Sequence, residues 1–444
     1  MTVTAADGRQ TKDEPDHTKT LLIIYSLVVL YAVCYQLQSP LEPFLVDKLV
    51  GKDKSSEGAA AYGQLQSFFM VIQAIGSLGF GTLLDRYGAR VGFLVNFIAC
   101  AASYTLLANT DSMTMLFLSK VPGVGMAGFL CAQTSVSQVT YPGPERIKAL
   151  GRLTTAYTIG GTVGPYLGGW LGLQGDYLFS AKIAAVGSLF AAVLSCFLPG
   201  GRVAHTKVDA KEGKTDKDDA DAKPTSTQNS WLKNAILVWE LVGSLILVKL
   251  ATSTANSMAS STQSQVLKNQ LNFSEADLGL FLSCEFAFGG FANGFLLGPV
   301  TALLGGKSES VVKNCILCMA LGYSGLALLQ AEMLGLVVTA APALAQTYSF
   351  VGITMILSIF RYSLSTSITA ESTHIVPENL KGTLMGIEHS TFAAARIATP
   401  TIGIKILTMG GPGVLYACCS SVFFVVGSLW VLLAGRFLRR PKSS

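Results

Sequence analysis

The sequence has 444 residues, of which 50% are hydrophobic and only 13% charged, at a mean hydropathy of +0.48. Soluble domains average about a quarter charged residues, so this balance excludes an ordinary soluble domain and points to a chain that crosses a membrane repeatedly. The net charge of +5 excludes little, because in such a chain the distribution of charge matters more than its sum.

A membrane-crossing helix needs about 20 apolar residues. Apolar runs of that order fall near 21–44, 63–83, 91–109, 113–138, 153–172, 179–199, 237–265, 277–299, 314–331, 345–369, 383–406 and 413–435. They make twelve spans in two groups of six, an all-α membrane protein of two six-helix bundles. The first 20 residues are polar and the first apolar run is too long for a signal peptide, so the amino terminus is expected in the cytosol. Between the groups, Gly200 to Ser230 carries six Lys/Arg and six Asp/Glu among few apolar residues, the composition of a disordered linker. The expected division is residues 1–199 for one bundle, 200–230 for a charged cytosolic linker and 231–444 for the second bundle. Of the 32 Lys/Arg, 22 fall in segments on the side of the termini, four on the opposite side and six within the spans. Excess positive charge marks the cytosolic side, which places both termini there. All nine cysteines lie in apolar runs, badly placed for a disulfide framework, and Cys315-x-x-Cys318 reads as packing rather than as a metal site.

Directly after the apolar run Phe68 to Phe80, the stretch Gly79-Phe-Gly81-Thr-Leu-Leu-Asp85-Arg86-Tyr-Gly88-Ala-Arg90 sets three charges within six residues. A span that ends in Asp-Arg and a glycine turn before a second span begins is the pattern of a hairpin at a membrane surface. The stretch resembles the signature of the major facilitator superfamily, with Ala89 standing where a basic residue is usual. The resemblance implies that Gly81, Asp85, Arg86, Gly88 and Arg90 join the second and third helices. It also implies that the acid caps a neighbouring helix N-terminus and pairs with bases to hold one conformation of a carrier.

Helix five carries Gly160-x-x-x-Gly164-Pro165-x-x-Gly168-Gly169, which leaves one helix face almost bare and adds a bend. The run resembles the antiporter motif of proton-coupled drug exporters, which implies that it seals the outer half of the interface between bundles. Generic small-residue packing is the alternative. The halves also resemble each other. Pro144-Glu145-Arg-Ile-Lys148 recurs as Pro377-Glu378-Asn-Leu-Lys381, and Pro165 and Gly168 match Pro400 and Gly403, at offsets of 233 and 235. Ser119-Lys120-Val-Pro-Gly123, Ala132-Gln133, Pro144-Glu-Arg146 and Ala149-Leu-Gly-Arg152 resemble the organic-cation-transporter-like branch of solute carrier family 22, related to tetracycline exporters.

Ionisable groups at membrane depth are costly and face a cavity or a partner. Lys120 in helix four stands where the resemblance puts an arginine used in proton coupling. Lys249 in helix seven, Glu285 in helix eight, Arg361 in helix ten, and Glu388, His389 and Arg396 in helix eleven complete the set. Glu285, Glu388 and His389 are the candidate proton-binding groups, because burial moves a carboxylate pKa towards neutrality and histidine starts there. For each charge the alternative is a structural ion pair, and two acids against four bases would leave the cavity positive. Gln36 and Gln38 in helix one and Gln133 in helix four are polar groups at depths where a solute could bind or where helices are glued together.

The expected function is secondary active transport of a small organic solute, an organic cation or drug-like molecule, by alternating access and in exchange for protons. The excess positive charge motivates an organic-anion variant, and the charged linker motivates a carrier fold used as a scaffold or in signalling. No nucleophile–base pair, phosphate loop or metal cluster stands out, so no catalytic residue, metal or cofactor is expected. The expected partners are the solute, protons and the bilayer, with no nucleic acid, and the chain is expected to work as a monomer.

Overall fold

The computed structural model describes residues 17–51, 55–140, 144–199, 227–333, 343–377 and 380–437, which contain helices and no strand. In hydrocarbon every backbone N–H and C=O must be satisfied within the protein, and a helix does this segment by segment. α1 is His17–Gln36, followed by a turn and a short helix, Glu42–Val50. The helix Ser55–Ala108 is broken only at Gly88, whose φ of 78° ends α2 (55–87) and allows α3 (89–108) to begin. α4 is Met113–Val139, α5 Pro144–Gly172 and α6 Phe179–Ser195. In the second half α7 is Thr227–Gln270, α8 Glu275–Leu303, α9 Ser308–Met333 and α10 Ala343–Ile375. The helix Lys381–Phe437 is broken in the same way at Gly411, φ 74°, into α11 (381–410) and α12 (412–437).

The expected spans shift in four places, each for a local reason. The first was expected to run through residue 44, but Pro40 cannot continue the helix, so α1 stops at Gln36 and Gln38 lies in the turn. α4 carries a 3-10 turn, Val121–Gly125, directly after Lys120, where Pro122 and two glycines weaken the α-helical ladder. The signature between α2 and α3 is not an open loop: the helix runs through it to Gly88 and resumes at Ala89. α7 begins at Thr227, inside the stretch read as linker; residues 200–226 of that stretch lie outside the described residues. α8 opens on a reciprocal cap, in which the Asp277 backbone N–H donates to Ser274 Oγ and the Ser274 backbone N–H donates to Asp277 Oδ2.

The buried apolar side chains gather into two clusters. One is built around Leu27, Phe93, Phe97 and Leu116, the other around Met319, Phe350, Phe423 and Trp430. The halves meet along two antiparallel helix pairs. α5 and α8 touch from Gly172 against Glu275, through Gly169 against Gly279 and Gly161 against Phe286, to Thr158 against Gly290. That is on the order of 20 Å of helix at 1.5 Å per residue. The same faces continue to Gly151 and to Gly294 and Gly298, where a methyl group would meet no atom within 4 Å. α5 and α8 therefore separate towards the end of the bundle from which α5 starts. α2 and α11 meet at the other end, where Gly63 lies against Ile404 and Pro400 and Ser67 and Thr401 hydroxyls are 2.7 Å apart. The molecule is sealed between its halves at the end away from its termini, called here the distal end, and splayed along α5 and α8 at the terminal end.

This seal depends on missing side chains. A Cβ at Gly169 would lie 2.5 Å from the Glu275 carbonyl oxygen and 3.0 Å from Gly279 Cα. Gly169→Leu should wedge the distal end open, so a cysteine placed at Ser264 reacts faster with an impermeant thiol reagent from the distal side. Gly151→Leu, which meets open space, should leave that rate unchanged; equal rates in parent and Gly169→Leu would contradict the seal.

Candidate functional site

In the amino-terminal half the polar groups sit where helices break. The turn after α1 puts Gln36, Ser39 and Glu42 side by side at the centre of the amino-terminal half. Glu42 pairs with Lys120, which the 3-10 turn of α4 holds in place, and accepts a further hydrogen bond from Gln66 Nε2 at 2.5 Å. Glu42 is the neutralising acid that inspection of the spans missed, so Lys120 is a paired cation and not a free one. Its ammonium also lies 5.4 Å from the centre of the Phe69 ring.

The carboxy-terminal half holds two more pairs. Lys249 of α7 pairs with Glu388 of α11 and donates to Thr369 Oγ1 of α10 at 2.7 Å. Glu388 is buried, and its second oxygen, Oε1, has no hydrogen-bond partner among the described residues. Arg361 of α10 donates from Nη2 to Glu285 Oε1 of α8 at 3.1 Å. Burying a charge is tolerable when a partner and hydrogen bonds replace its water.

Arg396 is different. It is exposed within α11, stacks over Phe392 at 5.7 Å from the ring centre, and has no carboxylate within ion-pair distance among the described residues. It lies where two cavity lobes adjoin. One lobe, about 320 Å³, lies within the carboxy-terminal half and is lined by Lys249, Asn256, Arg361, Tyr362 and Phe392 together with Arg396. The other, about 260 Å³, lies between the halves and is lined by Gln36, Glu42 and Gln66 on one side and Ser264, Phe286 and Arg396 on the other. Ser257 and Ser260 of α7 line both lobes. A smaller recess of about 80 Å³ reaches from Ser39 and Gln66 to Lys120.

Eight of the ten residues singled out as a pathway are thus found at or beside the cavity. Gln36 lines the lobe between the halves, while Gln38 borders the recess and accepts from Ser180 Oγ of α6 at 3.0 Å, tying two helices together. Glu388 reaches the cavity through Lys249, and Glu285 through Arg361. Gln133 is exposed on α4 and lines neither lobe. The His389 side chain, like those of Gly81 and Asp85, lies outside the described residues; Arg86 and Arg90 are exposed and Gly88 forms the break.

The glycine run of α5 divides between two neighbours. Gly160, Gly164 and Gly168 lie against Val29, Val33 and Leu37 of α1 and its turn, inside the same half, whereas Gly161 and Gly169 lie against α8. The interface between halves therefore uses the second face, together with the Pro165 carbonyl against Gly279. Gly403, the counterpart of Gly168, likewise packs inside its own half, on Met258 and Thr262 of α7. Three polar contacts close the distal end beside it. Asp47 pairs with Lys268, Lys268 donates to the Pro43 carbonyl at 2.8 Å, and the Tyr177 hydroxyl donates to Glu275 Oε1 at 2.6 Å. Burial, and then Glu275, hold the Tyr177 phenol above its ordinary pKa range. None of these five residues stood out in the sequence.

Removing one member of a buried pair leaves the other charge unpaired, at a cost of about 3–5 kcal/mol. Lys120→Gln and Arg361→Gln should each lower the melting temperature of the detergent-purified protein, while Arg396→Gln, which orphans no described carboxylate, should not. Equal losses in all three would contradict the assignment of pairs.

The profile of the Major Facilitator Superfamily matches residues 24–332. The human protein called solute carrier family 67 member A1 is 33% identical over 199 residues, 44% of this chain and 45% of its own length. The mouse solute carrier family 22 member 18 is 25% identical over 389 residues, 86% of this chain and 88% of its own. The class H tetracycline resistance protein of Pasteurella multocida is 31% identical over 156 residues, 35% of this chain and 38% of its own. The chain thus aligns with less than half the length of the human and bacterial relatives and with most of the mouse one. Among solved structures, a peptide transporter, POT, crystallised with sulfate, has a TM-score of 0.68 at 14% identity, covering 98% of this chain and 97% of that one. The human organic anion transporter MFSD10 has a TM-score of 0.55 at 18% identity, covering 94% and 100%. At these identities the likeness is one of fold.

Proposed function

Because the chain belongs to the Major Facilitator Superfamily, we propose that it exchanges a small organic solute for protons across a membrane by alternating access. As a member of that family it is a multi-pass membrane transporter of small solutes and not an enzyme. The finer reading is supported by one observation above the others. A cavity walled by both halves is shut at the distal end by glycine contacts and polar bonds, while α5 and α8 part at the other end. Rocking the halves about this cavity would exchange the seal from one end to the other. The likeness to a tetracycline resistance protein supports a drug-like solute, and the resemblance of the α5 glycine run to an antiporter motif supports proton exchange.

Lys249 and Glu388 are the proposed coupling pair. With Glu388 ionised, Lys249 is held against it and against Thr369. A proton on Glu388, whose Oε1 has no other partner among the described residues, removes the attraction and frees Lys249 to turn into the lobe that it lines. Protonation and solute occupancy then bias the same side chain, which is the linkage an exchanger needs. Glu285, paired with Arg361, and His389 remain proposed as auxiliary proton sites. Both termini are proposed to face the cytosol, with residues 1–199 and, from the start of α7, 227–444 as the two moving bundles, the intervening segment as their tether, and the monomer as the working unit.

Proteoliposomes loaded with tetracycline test the coupling. A pH gradient should accelerate tetracycline flux, and Glu388→Gln, fixed in the neutral form, should lose that acceleration while still exchanging tetracycline at equilibrium. Flux indifferent to the gradient in the unsubstituted protein would overturn the proton half of the proposal.

A further inference from the structure

The charges around the cavity do not cancel. Lys120 is matched by Glu42, Lys249 by Glu388 and Arg361 by Glu285, and Lys268 at the distal seal by Asp47. Among the described residues Arg396 is left over, and among them it is the charged side chain that borders both lobes. A guanidinium stays charged in proteins, so it cannot relieve the cost by becoming neutral. It faces the open volume of both lobes, and an anion bound there would supply the counter-charge that the described acids do not.

The neighbours of Arg396 show what the rest of such a molecule looks like. Phe392 lies one turn before it on α11, and Tyr362, Leu364 and Ile368 of α10 give the larger lobe an apolar wall. Ser257, whose Oγ lies 2.9 Å from Thr399 Oγ1 of α11, and Ser260, which donates to the Ser257 carbonyl at 3.2 Å, stand at the junction with the arginine, where either hydroxyl can turn to an acceptor on a ligand. A lobe of about 320 Å³ falls within the usual size of small-molecule sites.

We infer that the solute is an amphipathic organic monoanion, its acidic group on Arg396 between Ser257 and Ser260 and its apolar body in the lobe lined by Tyr362 and Phe392. This deepens the transport reading by naming the substrate class of the same cavity. One uncompensated cation matches one negative charge. A dianion would have to draw on Lys249 or Arg361 and leave Glu388 or Glu285 unpaired. An organic cation would have to displace a paired lysine or arginine to reach its carboxylate.

Binding to the full chain in a neutral detergent tests the inference without any gradient, so it stands or falls separately from proton-coupled flux. The probes are 2-naphthoate, the neutral 2-naphthamide, the cationic 2-naphthylmethylamine and the polar anion gluconate, each read by its shift in melting temperature. Naphthoate should raise it in a saturable manner and the other three should not. Arg396→Gln should weaken naphthoate binding at least about tenfold, the loss expected for a charge-assisted contact of ~1.4 kcal/mol or more. Arg396→Lys, which keeps the charge without the fork, should fall between.

A larger shift with the amine than with naphthoate would overturn the inference, as would naphthoate binding that survives Arg396→Gln unchanged, or no shift with any probe. Gluconate binding equal to naphthoate binding would overturn the assignment of the apolar body.

Discussion

An ionised side chain inside the hydrocarbon layer must find a counter-charge or water, and much of this structure follows from how that requirement is met. Three bases in the middle of the bundle meet it with acids from other helices: Lys120 with Glu42, Lys249 with Glu388 and Arg361 with Glu285. Each pair ties together elements that are far apart in the chain, so the charges both fix helix packing and empty the bundle's centre of apolar filling. The fourth base, Arg396, has no acid within ion-pair distance among the described residues and faces the cavity instead.

The other constraint is steric. Two halves can slide and tilt against each other only where their helices approach closely without interlocking, and glycine faces allow that. α5 supplies one such face to α1 and another to α8, a step of one residue or about 100° apart around the helix. The first face makes the amino-terminal half a unit; the second lets that half close on its counterpart. Polar contacts at Asp47, Lys268, Tyr177 and Glu275 cluster at the same end as the Gly169–Gly279 contact, so closing the distal end gathers both kinds of interaction. Their loss on opening would have to be matched by new contacts along α5 and α8 at the terminal end.

The architecture was largely legible because hydropathy reports membrane crossings directly, and the duplicated Pro-Glu motif reports the two-fold repeat. Helix ends were less legible. Thr227 to Ser230 look like linker by composition yet begin α7, and the turn at Gln38 depends on Pro40 inside an otherwise apolar run. Partners could not be read at all. Lys120 and Glu42 are 78 residues apart, Lys249 and Glu388 139, and Lys268 and Asp47 221, and no spacing rule connects residues on different helices. Glu42 was overlooked because an acid near the end of a span reads as interfacial, whereas the break after α1 carries it back into the bundle. The two-faced use of the glycine run was there to be found, since Gly160, Gly164 and Gly168 recur every four residues while Gly161 and Gly169 fall beside them.

The central claim is that the two halves exchange one closed end for the other around a shared cavity. Its most direct test is a pair of spin-label distances measured by double electron–electron resonance in lipid nanodiscs. One pair reports the distal end, at Gln174 and Asn272; the other reports the terminal end, at Arg152 and Gly298. The account predicts two populations at each end that shift in opposite directions when pH or solute is changed, a short distal distance accompanying a long terminal one. A single fixed distance at both ends under all conditions, or distances that lengthen together, would contradict it.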